Sequence, residues 1–263
     1  MRIALGLEYD GSRFLGWQTQ PEGGTVQDAL QAALAAISGN PVSVTCAGRT
    51  DRGVHAREQV VHFDTEATRP DTAWVRGVNA FLPECAAVRW AFRVPSDFHA
   101  RYDAISRAYR YVLLNRGVRP ALGAPYVGWV HAPLEVEPMR DAARFLIGEH
   151  DFSAFRSAEC QARTPVRTLH ELSIARQGER IDFVLRANAY LHHMVRNIVG
   201  TLVQVGKGAR PPAWVQEVLA ARKRALAAPT FPAQGLYLES VIYAPSWNLP
   251  RIEPARLSIP AEA

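Results

Sequence analysis

Asp51 stands between Arg49 and Arg52, with Gly48 and Gly53 outside them and His55 just beyond. A carboxylate so placed is expected to stay ionised, because nearby positive charge lowers its pKa. That state suits a nucleophile better than a proton donor. The same residue could be a turn aspartate that accepts loop N–H groups, and residue types alone leave both readings open. Arg196 is the second candidate. It lies among Met194, Val195, Ile198 and Val199, and a partly buried guanidinium requires a carboxylate or phosphate partner. Asp51 is one candidate for that partner. Third, Tyr109 and Tyr111 share one face of an alternating segment. They either pack in a core or stack on an extruded base. No GxSxG, HExxH or P-loop is present. His192 and His193 are adjacent, and on a helix adjacent residues point about 100° apart, which suits a shared metal poorly.

These residues need elements to hold them. Val42, Val44 and Cys46 lead into the Asp51 cluster, and Val60, Val61 and Phe63 lead out. The cluster therefore reads as a tight loop between two strands, where site chemistry tends to reside. Before it, residues 3–9 alternate as a strand, and Thr25 with Asp28 caps a helix that stops at Gly39-Asn40-Pro41. Between them, Phe14 and Trp17 sit in a loop, either as core packing or as a surface for a base or ribose. After the cluster come a helix capped by Asp71 and ended by Pro83, and a strand over Val88, Trp90 and Phe92.

The second half has the same element types. Residues 106–115 read as a strand, 116–133 as a loop and 135–147 as a helix. A further loop covers 150–165, and a strand pair flanks Gln177-Gly178. Helices follow over 190–205 and 214–226, then a last strand over Leu236, Leu238 and Val241. The expected fold is α+β: two similar α/β halves, 1–105 and 106–245, whose mostly antiparallel strands form a shared central sheet with helices on one face. The active-site cleft would lie between the halves. Residues 246–263 read as a loosely packed tail.

The 263 residues are 48% hydrophobic, enough for a sizeable core, and no apolar run approaches a membrane span. The first residues read as a strand rather than a signal peptide. Cys46, Cys85 and Cys160 are odd in number and far apart, which argues against a disulfide framework and a zinc site and suits a reducing cytoplasm. The net charge of +5 hints at a polyanionic partner. Lys207 and Lys223 are the only lysines. Guanidinium forks grip phosphates bidentately, although a G- and C-rich genome explains most of the bias toward arginine.

Ten segments resemble the tRNA pseudouridine synthase A family. They are LEYDGSRFLGWQ, GTVQDAL, CAGRTDRGVHA, QVVHF, DFHARYDA, AYRYVL, GEHDFSAF, RTPVRTL, AYLHHMVRNIVGTLVQVG and GLYL, spread from residue 7 to residue 238. The resemblance implies that Asp51 is the catalytic nucleophile and that Tyr109 stacks on the target uracil. It implies that Arg196 pairs with Asp51 and that Arg49 helps bind RNA. Arg52 stands where such motifs often carry Ala or Lys, which leaves the nucleophile in place and bears on phosphate contact or Asp51 acidity. The implied reaction converts uridine to pseudouridine at positions 38, 39 and 40 of the tRNA anticodon stem-loop. It needs no cofactor and no metal. The implied partner is tRNA, bound by a cytoplasmic homodimer. Two other classes compete with this reading. One is a non-catalytic RNA-binding protein on the same fold, which would have no reason to keep Asp51 with its arginines. The other is a metal-dependent hydrolase using His55, His192 or His193, for which the ligand spacing is poor.

Overall fold

The computed structural model describes residues 1–250. The described residues divide into two compact units, one of residues 1–105 with 237–250, the other of residues 106–236.

In the first unit β1 (Arg2–Tyr9) runs antiparallel to both β3 (His55–Asp64) and β4 (Ala86–Val94), and the short β2 (Thr45–Cys46) pairs with the far part of β3. The in–out alternation expected of residues 3–9 does not appear as exposure, since Ile3 to Leu7 are all buried. The strand is central and both of its faces are covered. Phe63, opposite Ile3, meets Trp74 edge-on at 5.4 Å, and Trp90 lies opposite Gly6 on the other face. Helix α1 (Val26–Ser38) starts at a complete capping box. Thr25 Oγ1 accepts from the Asp28 N–H, and the Asp28 carboxylate accepts from Thr25 in return. Such a cap stabilises by about 1 kcal/mol. Gly39, at φ 82°, ends the helix. The expected second helix spans 71–81. Asp71 lies within its first turn rather than capping it, and its carboxylate pairs with Arg93 at 3.1 Å. The middle, Ala73–Gly77, is a π turn, and regular α geometry returns only in α2 (Val78–Phe81).

The second unit is built on β5 (Ala104–Asn115), which carries the short parallel β6 (Gly128–Val130). The strands β7 (Gly148–Asp151), β8 (Val166–Gln177) and β9 (Arg180–Ala187) complete an antiparallel order β5-β9-β8-β7. The β8–β9 hairpin turns at Gly178, as expected. β6 and β7 fall in stretches that the sequence presents as loops. Each is only three or four residues long, too short to show a period. The helices are α3 (Val136–Arg144), α4 (Met194–Gly206) and α5 (Ala213–Ala221). α5 ends earlier than expected because Arg222 adopts a left-handed conformation, φ 56°.

The last strand, β10 (Leu236–Tyr243), lies parallel to β3 through Tyr237 and Leu238. Residues 237–245 therefore belong with the first unit rather than with the C-terminal half expected over 106–245. The start of the expected loose tail is packed, with Trp247 against Phe98 at 5.1 Å. Positions 251–263 of that tail lie outside the described residues.

His62 of β3 is a buried titratable group in this unit. Its Nδ1 accepts from the Ala100 N–H at 3.1 Å. Burial, then the positive charge of Arg2 and His99, lower its pKa to about 4, against opposing pulls from Asp64 and Asp103. Unfolded histidine titrates near ~6.5. The unfolded chain therefore takes up the proton first, and this contribution to stability is lost as pH falls from ~6.5 through about 4. We expect urea midpoints to drop across that window, and to drop less steeply in His62→Gln. Equal slopes in the two proteins would show that His62 does not carry the effect.

Candidate active site

Loop 47–54 joins β2 to β3, and its backbone is fixed on both sides of Asp51. Ala47 N–H donates to Val60 O at 2.8 Å. The Gln59 carboxamide, fully buried, grips both backbone groups of Gly48: Nε2 donates to its O at 2.5 Å and Oε1 accepts its N–H at 3.4 Å. Thr50 Oγ1 and the Tyr9 hydroxyl are 2.8 Å apart in the core, and Thr50 O accepts from Trp17 N–H at 2.9 Å. Gly53 N–H donates to Gly11 O at 3.2 Å, and Val54 N–H returns to Asp51 O at 3.1 Å. Buried, satisfied polar groups of this kind hold one backbone geometry. Thr50 is buried, Asp51 half-buried, and Arg49 and Arg52 are exposed. The loop is thus anchored at the residue preceding the carboxylate while its two arginines face solvent.

The segment 11–17 is the support beneath this loop. Phe14 and Trp17 are 7% and 1% exposed and pack around Tyr9 at 6.4 and 6.1 Å. Of the two readings the sequence left open, core packing is the one the structure shows. A Cβ on Gly11 would sit 1.9 Å from Val54 O. Gly16 has φ 107°, and a Cβ there would lie 3.2 Å from both Arg52 N and Thr50 O. Gly16→Ala is expected to destabilise by about 1–3 kcal/mol through backbone strain and to move the loop at Asp51. A melting temperature within a degree or so of wild type would contradict this.

His55 begins β3 at 3% exposure, with its Nδ1 accepting from Gly11 N–H at 3.1 Å and its ring stacked on Tyr237 at 4.7 Å. These contacts give it a structural role in the loop. Cys46 is also buried, and that burial pushes its thiol up to about 12, against the pull of Arg49 and Arg101. It is therefore no thiolate nucleophile.

In the second unit Tyr109 projects from β5 opposite Leu185 of β9 and is 8% exposed. Tyr190 meets it edge-on at 4.9 Å and 79°, and the Tyr190 hydroxyl donates to Arg107 O at 3.3 Å. Burial, followed by the neighbouring Tyr109, raises the Tyr190 phenol well above its ordinary range, so it stays neutral. Tyr111 is fully buried with its hydroxyl on Pro232 O at 2.9 Å. Both tyrosines of this strand face are buried, Tyr111 completely and Tyr109 to within 8%.

Arg196 lies in the first turn of α4, half-buried. Its Nε donates to Phe231 O at 2.8 Å, and Phe231 N–H returns to Arg196 O at 3.3 Å. The helix begins at Met194, four residues later than the expected 190. His193, at φ 63°, turns the chain just before it. His192 and His193 therefore precede the helix, and their ring centroids are 3.9 Å apart. The expected divergence of about 100° does not apply, because it assumed helical geometry.

Asn197, the next residue on α4, carries a role the sequence did not suggest. It is fully buried. Its Nδ2 donates to Phe155 O at 2.7 Å, and its Oδ1 accepts from Thr230 Oγ1 at 2.7 Å and Arg224 Nη2 at 3.1 Å. This clamp holds the segment that carries Phe231 against α4. A lone asparagine inside an apolar helical stripe is its only sequence signal.

A family model described as tRNA pseudouridine synthase matches residues 7–103 and 142–244. Similar proteins bear the name tRNA pseudouridine synthase A. That of Dechloromonas aromatica is 57% identical over 250 residues, covering 95% of each chain. That of Bordetella petrii is 59% identical, covering 94% of this chain and 93% of its own. That of Aromatoleum aromaticum is 59% identical, covering 95% of each.

Proposed function

Since the chain belongs to the tRNA pseudouridine synthase family, we propose that it isomerises uridine to pseudouridine in tRNA, at positions 38, 39 and 40 of the anticodon stem-loop, with Asp51 as nucleophile and no cofactor. The observation that carries the assignment of roles is the anchoring of loop 47–54. Thr50, directly before Asp51, is locked to Tyr9, and Gly53, directly after Arg52, is locked to Gly11. A carboxylate set on so fixed a backbone meets the positional demand of attack on a ribose.

The reaction breaks the N1–C1′ bond, turns the uracil and joins C5 to C1′, while the C5 proton leaves and N1 gains one. No electrons enter or leave. Asp51 acts at the sugar, either by attacking C1′ or by promoting a glycal. The uridine must first leave its stack, at a cost of a few kcal/mol, and stacking on Tyr109 offsets about 1–3 kcal/mol of this. The edge-on Tyr190 holds the Tyr109 ring in one orientation. Arg196 supplies the positive charge that pairs with Asp51, and Arg49 contacts RNA phosphate.

The test uses unmodified tRNA tritiated at uracil C5. Tritium release with chelator present and no added metal is expected. Binding without release from any tRNA would favour the non-catalytic RNA-binding reading instead. We further propose a cytoplasmic homodimer that binds tRNA across both copies; a monomer in sedimentation equilibrium at micromolar concentration would refute the dimer. Among the described residues no helix is long and apolar enough to cross a membrane.

A further inference from the structure

In the second unit, Arg156 on loop 156–165 and Arg167 at the start of β8 are two guanidinium groups with no carboxylate partner among the described residues. Arg156 Nη2 donates to Cys160 O at 2.5 Å. Arg167 Nη1 donates to Thr164 O at 2.9 Å and Val166 O at 2.5 Å. These backbone bonds fix both groups in place. Among the described residues no carboxylate lies within ion-pair distance of either one, and the Arg167 Nε is buried with no hydrogen-bond partner at all. Burial depresses the Arg167 pKa; the Cys160 thiol pulls against this, and the like charge of Arg156 adds to it. An unpaired buried donor and two neighbouring cations are both unfavourable by themselves. One anion relieves both, and a phosphate offers several acceptor oxygens to guanidinium forks.

The loop is also tied to the segment that enters α4. Ser157 N–H donates to His192 O at 3.0 Å, and His192 N–H to Cys160 Sγ at 3.4 Å. An anion held by Arg156 and Arg167 would therefore sit on a loop that directly braces the approach to Arg196. Arg163, exposed on the same loop, adds positive charge at its outer side.

We propose that Arg156 and Arg167 form a binding site for a backbone phosphate of the RNA substrate, separate from the Asp51 loop. The proposal rests on the tRNA reading above for the source of the phosphate. It gives the second unit its own grip on the RNA, one that reads no sequence and sets register.

The experiment measures binding of an unmodified tRNA transcript from about 50 to 200 mM KCl. The proteins compared are wild type, Arg156→Gln, Arg167→Gln and the two Lys substitutions. Each Gln variant is expected to lose on the order of tenfold in affinity and about one unit in the slope of log K against log salt. Each Lys variant is expected to regain the slope but only part of the affinity, because the fork is lost. Melting curves verify folding. If Arg167→Gln does not fold, Arg156→Gln decides, since it leaves the buried Arg167 contacts in place. Unchanged slope and affinity in the Gln variants would overturn the proposal. So would a site that takes inorganic phosphate alone, seen as a phosphate-dependent rise in wild-type melting temperature, lost in Arg167→Gln, with no change in tRNA slope. Tritium release is scored separately on wild type. If release is absent while the Gln variants still lose slope, the isomerase reading fails and the phosphate site stands. If release is present and the slopes are equal, the reverse holds.

Discussion

Asp51→Asn is expected to reduce tritium release from C5-labelled tRNA by about a thousandfold or more, while tRNA affinity stays within a few-fold of wild type. The magnitude follows from the proposed role of Asp51 at the sugar, because loss of a nucleophile typically removes most of the catalysed rate. The retained fold follows from the loop. Its anchors are Thr50 to Tyr9, Gly48 to Gln59 and Gly53 to Gly11, all of them unaltered by the substitution. Asn keeps the size and shape of the side chain and removes its charge. Binding should survive because phosphate contacts, which dominate RNA affinity, come from arginines. Asp51→Glu adds one methylene, which displaces the carboxylate on an unchanged backbone, and should lose nearly as much rate. Arg49→Gln makes the contrast. As a phosphate contact it should weaken binding and the salt slope by about one unit, with a far smaller effect on the rate of bound substrate. If Asp51→Asn retains a tenth or more of wild-type release, Asp51 is not the nucleophile.

The sequence shows where local rules decide the outcome. Thr25 with Asp28, the Gln177-Gly178 turn and the alternation over 106–115 each carry their signal within a few residues, and each forms as read. The Asp51 loop was legible for the same reason, since apolar runs bracket a charged cluster. What was hidden depends on partners distant in the chain. Phe14 and Trp17 fit either core packing or a contact surface until Tyr9 and loop 47–54 are seen to enclose them. β10 joins β3 across more than 170 positions, a pairing no local pattern encodes. His193 is the most instructive case. Leu191, Met194 and Val195 fit a helical period, so the pattern runs straight through a residue whose left-handed backbone stops it. A periodicity argument cannot see one dihedral angle.

Asn197→Ala is expected to destabilise the protein by about 2–4 kcal/mol, a fall in melting temperature of roughly 5–15 °C for a protein of this size. The loss exceeds that of a typical hydrogen bond because the partners are left behind. Phe155 O loses its Nδ2 donor, and Thr230 Oγ1 and Arg224 Nη2 lose their shared acceptor. Arg224 is the expensive one, for burial already lowers its pKa, and Thr230 Oγ1 at 3.2 Å is then its only remaining side-chain partner of the clamp. Asn197→Asp separates the two halves of the effect. It keeps an acceptor for Thr230 and Arg224 and removes the donor to Phe155 O, so it should fall between Ala and wild type. The clamp also bears on activity. It holds residues 224–231 against α4, where Phe231 O receives Arg196 Nε. Well below its melting temperature, Asn197→Ala should therefore bind tRNA but release tritium more slowly, by about tenfold, as the support of Arg196 loosens. A variant that melts lower yet turns over at the wild-type rate would make Asn197 a stability residue alone. One that melts within a degree or so of wild type would show that the three bonds are worth far less than their burial implies.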